Sequence, residues 1–99
     1  MALRIYWSPE AEARFQEIID YLVEKWGDGS RRTFIRKVDV FLSILHNYPK
    51  LGKMVNKERN IRAFVIVRQI TIFYQVKQDA IVLLNFYDNR QGPDKVPYK

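Results

Sequence analysis

Between Ile61 and Phe86 the chain offers three short apolar runs joined by turns of two or three residues, and such short joints allow only antiparallel neighbours. The runs are Ile61–Val67, Ile70–Val76 and Ala80–Phe86, rich in β-branched and aromatic residues, with turns near Arg68 and Gln69 and at Lys77 to Asp79. Strict alternation in the first run places Ile61, Ala63, Val65 and Val67 on one side and Arg62, Phe64, Ile66 and Arg68 on the other. Among the aromatics Phe73, Tyr74, Phe86 and Tyr87, alternation expects at least half to be core.

What precedes this meander is built at helical spacing. Leu3 to Trp7 alternates as a short strand would, and Ser8 then offers an N-cap, with Pro9 suited to the first helical position and Glu10 and Glu12 to the positive end of the dipole. Phe15, Ile18, Ile19, Leu22, Val23 and Trp26 form one apolar stripe, and Gly27 supplies the stop. A second helix is expected from about Ser30 to before Pro49, with Phe34, Val38, Phe41, Leu42 and Leu45 inward. Its arc is wide, because Ile35, Val40 and Ile44 flank it. Trp7 and Trp26 read as core or partly buried anchors, and His46 as a partner of the helix dipole. Lys50 to Asn60 reads as a lysine-rich loop with Gly52 as its flexible point.

These elements predict an α+β fold: an N-terminal strand, a two-helix antiparallel hairpin, then three antiparallel strands, with both helices on one face of the sheet. With 99 residues and 47% hydrophobic content, residues 1–99 are expected to form a single domain. No run approaches the roughly 20 apolar residues of a membrane span, no signal-like start is present, and a cytoplasmic location without membrane contact is expected. The chain has no cysteine and one histidine, and its acids are scattered, so neither a metal site nor a cofactor is expected.

Charge is unevenly spread. Residues 1–28 hold six acids against three bases, a balance of −3, so with a net charge of +6 the remainder carries +9. A basic sheet beside a mildly acidic helix suits an anionic target such as RNA, DNA or an acidic protein segment, while a surface charged for solubility alone is the plain alternative.

The opening YWSPEAEARFQEIIDYL, the NYPKLGK turn, the strand containing IFYQV and the closing NFYDNRQGP together resemble the RelE/ParE superfamily of type II toxin-antitoxin toxins, some of them described as plasmid stabilisation proteins. The resemblance implies an antiparallel sheet on a helical hairpin. It also implies a toxin held inactive by a cognate antitoxin, expected to be acidic and to wrap the toxin with a C-terminal segment. Two targets follow from the two branches: DNA gyrase for ParE, and ribosome-bound messenger RNA, cut without a metal, for RelE. The ribonuclease branch implies Arg62, Arg90 and Tyr98 as catalytic candidates, with Phe64 and Thr71 standing where further cations would be. That sparse set, with the long first helix after WSPEA, places the chain nearer ParE; a RelE-like nuclease and a non-toxic basic binding module are the alternatives. Target-binding candidates are Lys53, Lys57, Arg59, Arg62, Arg68 and Arg90, and antitoxin-binding candidates are Tyr21, Val40 and Ile44.

Overall fold

The computed structural model describes residues 3–98. Its elements are β1 (Arg4–Trp7), α1 (Pro9–Trp26), α2 (Asp28–Leu45), β2 (Lys53–Asn56), β3 (Ile61–Val67), β4 (Ile70–Val76) and β5 (Ala80–Asp88), then two short 3₁₀ turns at Asn89–Gln91 and Pro93–Lys95. The five strands form one sheet in the order β1-β5-β4-β3-β2. The meander pairs antiparallel as its short turns require, and β1 closes the other edge parallel to β5, Arg4 opposite Ala80 and Trp7 opposite Leu83. Both helices lie on one face, α1 over β5 and α2 over β3.

The α1 start follows the sequence logic closely. The Ser8 hydroxyl accepts from the Ala11 N–H at 3.0 Å and donates to the Leu84 carbonyl at 2.9 Å, so the residue that caps α1 also pins it to β5. Trp7, Phe15, Phe34 and Phe86 then pack ring against ring, with centroids 5.1 to 6.3 Å apart, and join β1, both helices and β5. Burial of each such ring is worth roughly 1.5–3 kcal/mol, which makes this cluster the main clamp between hairpin and sheet.

Three expectations need correction. Helix α2 begins at Asp28 rather than near Ser30, because Gly27, at φ +82°, ends one helix and starts the next without a linker. Ser30 lies inside α2 and its hydroxyl donates back to the Leu22 and Gly27 carbonyls. Second, the Lys50–Asn60 stretch is not all loop: Lys53–Asn56 forms β2, pairing Lys53 with Ala63 and Met54 with Arg62. Lysine on so short an edge strand hides the alternation that would have revealed it. Third, a register shift between Val65 and Val67 breaks the alternation of β3, so Ile66 and Val67 both join the helix-side core while Val65 is exposed.

The strand aromatics meet the expectation that at least half are core, and one tryptophan departs from its own. Phe73, Tyr74, Phe86 and Tyr87 are all buried, whereas Trp26 is 72% exposed and anchors nothing in the core. Gly52 is buried and tightly enclosed, not a flexible point: a Cβ there would meet the Ala63 carbonyl oxygen and the Tyr74 hydroxyl, each at 2.8 Å. The hydroxyl of Tyr74 is the reason. It accepts from the Gly52 N–H at 2.7 Å and donates to the Pro49 carbonyl at 2.9 Å, holding the 49–52 turn against β4, and its burial raises the phenol pKa above the ordinary value. Two substitutions test this latch. Gly52→Ala should cost about 1–3 kcal/mol by overpacking. Tyr74→Phe should cost a similar amount, about 1–3 kcal/mol, by stranding a buried N–H and C=O. Both would be read by thermal unfolding, where each kcal/mol moves Tm by about 4–8 °C in a chain of this size.

Candidate functional site: the Arg90 corner

Strand β5 ends at Asp88, and the chain turns at once into the 3₁₀ turn Asn89–Gln91, whose N-cap is Asp88. One Asp88 oxygen accepts from both the backbone N–H and the Nε of Arg90, each at 2.9 Å, while the other accepts from Nη2 at 2.6 Å. The guanidinium fork is thereby filled by a bidentate pair. Its Nη1 reaches the Tyr21 hydroxyl at 3.3 Å, and its Cζ lies 5.3 Å from the centre of the Tyr21 ring. Those partners raise the Arg90 pKa, and the guanidinium holds the Asp88 carboxyl below the usual carboxylate range.

Asn89 ties this corner to the β3–β4 turn. Its side chain accepts from the Thr71 hydroxyl at 2.8 Å and donates to the Arg68 carbonyl at 3.1 Å, and its N–H donates to the Gln69 carbonyl at 2.7 Å. Between that turn and α1 opens a cavity of about 370 Å³. Its apolar wall includes Ile18, Leu22, Ile70 and Phe86, and its rim includes Arg14, Tyr21, Trp26, Gln69 and Arg90. Arg14 is paired with Glu17 at 3.6 Å, so the charged rim is largely self-neutralised. A corner built this way can hold an apolar or aromatic group and offer one cation at its edge if Asp88 yields.

The candidate residues do not gather in one place. Arg68 and Arg90 share this corner through Asn89. Lys53, Lys57 and Arg59 are exposed along β2 and the turn after it. Arg62 pairs with Met54 on one side and Tyr74 on the other, and its side chain lies under the 49–52 turn, not in solvent. Its Nη1 donates to the Gly52 carbonyl at 2.7 Å and the Lys50 carbonyl at 3.4 Å, while its buried Nε has no hydrogen-bond partner. Tyr98 packs on Phe73 at 5.3 Å, in the cluster that also holds Ile61 and Tyr87, on the sheet face away from the helices. The structure therefore does not bring Arg62, Arg90 and Tyr98 together. Tyr21 lies on α1 at the Arg90 corner, whereas Val40 and Ile44 lie on α2, all three exposed.

Sequence reasoning missed Asp88, Asn89 and Trp26. The Asp-x-Arg spacing directly after a strand was the available signal for the first, since an N-capping carboxylate reaches forward to the N–H two residues on. Asp88 carries a pH signature. A carboxyl with a lowered folded pKa contributes stability that is complete above its unfolded value, near 3.9, and is lost as pH falls through the folded value. Thermal unfolding followed from pH 6 to below pH 3 at low salt should show that loss as a small one, because the pair is open to solvent, and Asp88→Asn should flatten the slope in the acid range.

The fold and this corner can be set beside known proteins. The first matches the chromosomal ParDE toxin-antitoxin system of P. aeruginosa with a TM-score of 0.72 and 17% identity, over 88% of this chain and 96% of that one. The YoeB dimer of Staphylococcus aureus matches at 0.59 and 18%, over 86% and 94%. The E. coli DinJ-YafQ toxin-antitoxin complex matches at 0.63 and 10%, over 92% and 97%. At these identities the likeness is one of fold, an α+β toxin architecture. No curated protein matches the chain by sequence. Residues 5–92, however, match the family described as ParE toxin of type II toxin-antitoxin system, parDE, and that span takes in both helices, the sheet apart from the first residue of β1, and the Arg90 corner. The chain belongs to that ParE toxin family of type II toxin-antitoxin systems.

Proposed function

We infer that the protein is a ParE-like toxin that arrests growth by binding DNA gyrase in the cytoplasm and is silenced by a cognate antitoxin. One observation carries this reading: the cationic candidates are not arranged to act on a common phosphate. Metal-free RNA cleavage needs a base for the ribose 2′-hydroxyl, cations on the phosphate and an acid for the leaving oxygen, all within reach of one scissile bond. Here the Arg90 fork is occupied by Asp88, Arg62 is held by turn carbonyls, and Tyr98 faces away from the helices. Loss of one such stabilising donor costs about 3 kcal/mol, or roughly a hundredfold in rate, so a dispersed set is a poor nuclease. Poisoning a protein target requires only a binding surface, and an apolar cavity edged by Trp26, Tyr21 and Arg90 has the residue types that dominate such contacts.

The antitoxin is supported by the family and by the ParDE and DinJ-YafQ systems among the structural relatives. The charge excess beyond residue 28 favours an acidic partner. Induction of the chain alone should stop growth, generate gyrase-dependent DNA breaks and leave translated messages intact. Codon-linked cleavage of messages without DNA breaks would establish the RelE-like alternative, and harmless induction the non-toxic binding module. Arg90→Ala should weaken the arrest at unchanged fold, because it removes a surface cation. Arg62→Ala should instead lower Tm through the released Gly52 and Lys50 carbonyls, seen by circular dichroism on the purified variants.

A further inference from the structure

Strand β5 runs from Ala80 to the Arg90 corner, and the end of the sheet where it starts carries a different kind of surface. There the β2–β3 turn and the β4–β5 turn stand side by side. The Val76 N–H donates to the Asn60 carbonyl at 3.0 Å, the Asn60 amide donates to the Val76 carbonyl at 3.1 Å, and the Gln75 amide donates to the Arg59 carbonyl at 2.8 Å. Each turn is also closed on itself: the Asn56 side chain accepts from the Arg59 N–H at 3.0 Å, and the Lys77 N–H donates to the Ala80 carbonyl at 2.7 Å. Lys57, Arg59 and Lys77 are exposed on this braced end, and Lys53 on the adjoining edge strand β2. Among the described residues none of the four makes an ion pair, although Glu58 and Asp79 stand in the same two turns. Lysine on an edge strand guards against strand addition, but three of these bases stand in turns, where that purpose does not account for them.

Resting on the gyrase reading, we propose that this end of the sheet, with Lys53, Lys57, Arg59 and Lys77, docks on the phosphate backbone of duplex DNA, the duplex that gyrase holds. The surroundings of the four bases select the partner. A protein would need an apolar centre to its contact, and between Lys53 and Lys77 the exposed large apolar residues are Met54 and Val65, the latter toward the far end of β3. An unpaired RNA strand would need aromatic faces for its bases, and no aromatic residue in that stretch is exposed, while Tyr98 is spent on Phe73. A duplex backbone asks only for cations and N–H donors, and β2, the last strand of the sheet, adds the unpaired N–H groups of its outer edge. At about 3.3 Å per residue Lys53 and Lys57 are at most about 13 Å apart. A duplex presents one charge for about every 1.7 Å of its axis, so several phosphates fall within that span. The Arg90 corner lies at the other end of β5, about 26 Å off at the same rise, so the apolar corner and the basic end are separate surfaces.

The test uses the purified full-length chain, a short labelled duplex of random sequence, and gyrase with plasmid DNA. Anisotropy should show duplex binding that weakens roughly a hundredfold between about 50 and about 200 mM salt, as release of counterions from about four phosphates requires. Lys57→Glu with Arg59→Glu and Lys77→Glu should weaken that binding by at least about tenfold and flatten its salt dependence. The same charge change on α2, Arg32→Glu with Arg36→Glu and Lys37→Glu, should leave it within about twofold. With gyrase present, the turn variant should need at least about tenfold more protein to give the same DNA breaks. If the glutamate triple fails to fold by circular dichroism, Lys57→Gln with Arg59→Gln and Lys77→Gln replaces it. Equal losses in the turn and α2 variants, or unchanged duplex binding in the turn variant, overturn the proposal, as does tighter binding of single-stranded RNA than of the duplex. Absence of gyrase-dependent breaks with the unmodified chain would instead refute the gyrase reading, while anisotropy still decides the surface.

Discussion

The packing of Trp7, Phe15, Phe34 and Phe86 is the constraint on which the rest of the molecule depends. The sheet is apolar on both faces: the helical hairpin covers one, and Ile61, Phe73, Tyr87 and Tyr98 pack together on the other. The four rings come from four elements, so their interlock decides where α1 sits along β5, and the Ser8 hydroxyl fixes the same placement by a hydrogen bond to Leu84. Once α1 is set there, Tyr21 comes to lie beside the end of β5 and Arg90 has a ring to rest on. The candidate corner is thus a product of core packing two helical turns away.

Cations in this protein divide by what their surroundings demand of them. Arg62 occupies a position that alternation would give to a surface residue, yet its guanidinium is half-buried and consumed by two backbone carbonyls that the 49–52 turn would otherwise leave unpaired. Arg90 is exposed, but its donors are spent on Asp88 and Tyr21. An exposed pair of this kind contributes little to stability because water and salt screen it, so its effect is on geometry: the fork is held in one orientation at the mouth of the cavity. Separating Arg62 from its carbonyls would open the 49–52 turn.

Much of this was legible in the sequence, and the parts that were not share a cause. Ser8-Pro9, Gly27 and the two β-turns are local signals, decided by residues within one turn of each other, and each appears where local chemistry places it. The strand β2, the displaced Val67, the enclosed Gly52 and the orientation of Arg62 are all settled by contacts with distant segments, and a single chain read along its length carries no trace of them. Arg90 was found by resemblance to a family. Its partners Asp88 and Tyr21 were not assigned to it, because one is a short-range cap hidden in a turn and the other lies 69 residues away along the chain. Trp26 was misjudged for a related reason: it falls on the apolar stripe of α1, but at the last turn, where it edges the cavity and stays exposed.

Exposure of Trp26 and of Val40, Ile44 and Tyr48 has a common physical meaning. A chain of this size that leaves a tryptophan, two aliphatic residues and a tyrosine in water forgoes burial worth roughly 1.5–3 kcal/mol for each large side chain. None of these residues is needed where it stands for the fold, since the inner faces of both helices are filled without them. Trp26 edges a cavity whose charges are already matched, Arg14 with Glu17 and Arg90 with Asp88, so that corner favours an occupant recognised by shape.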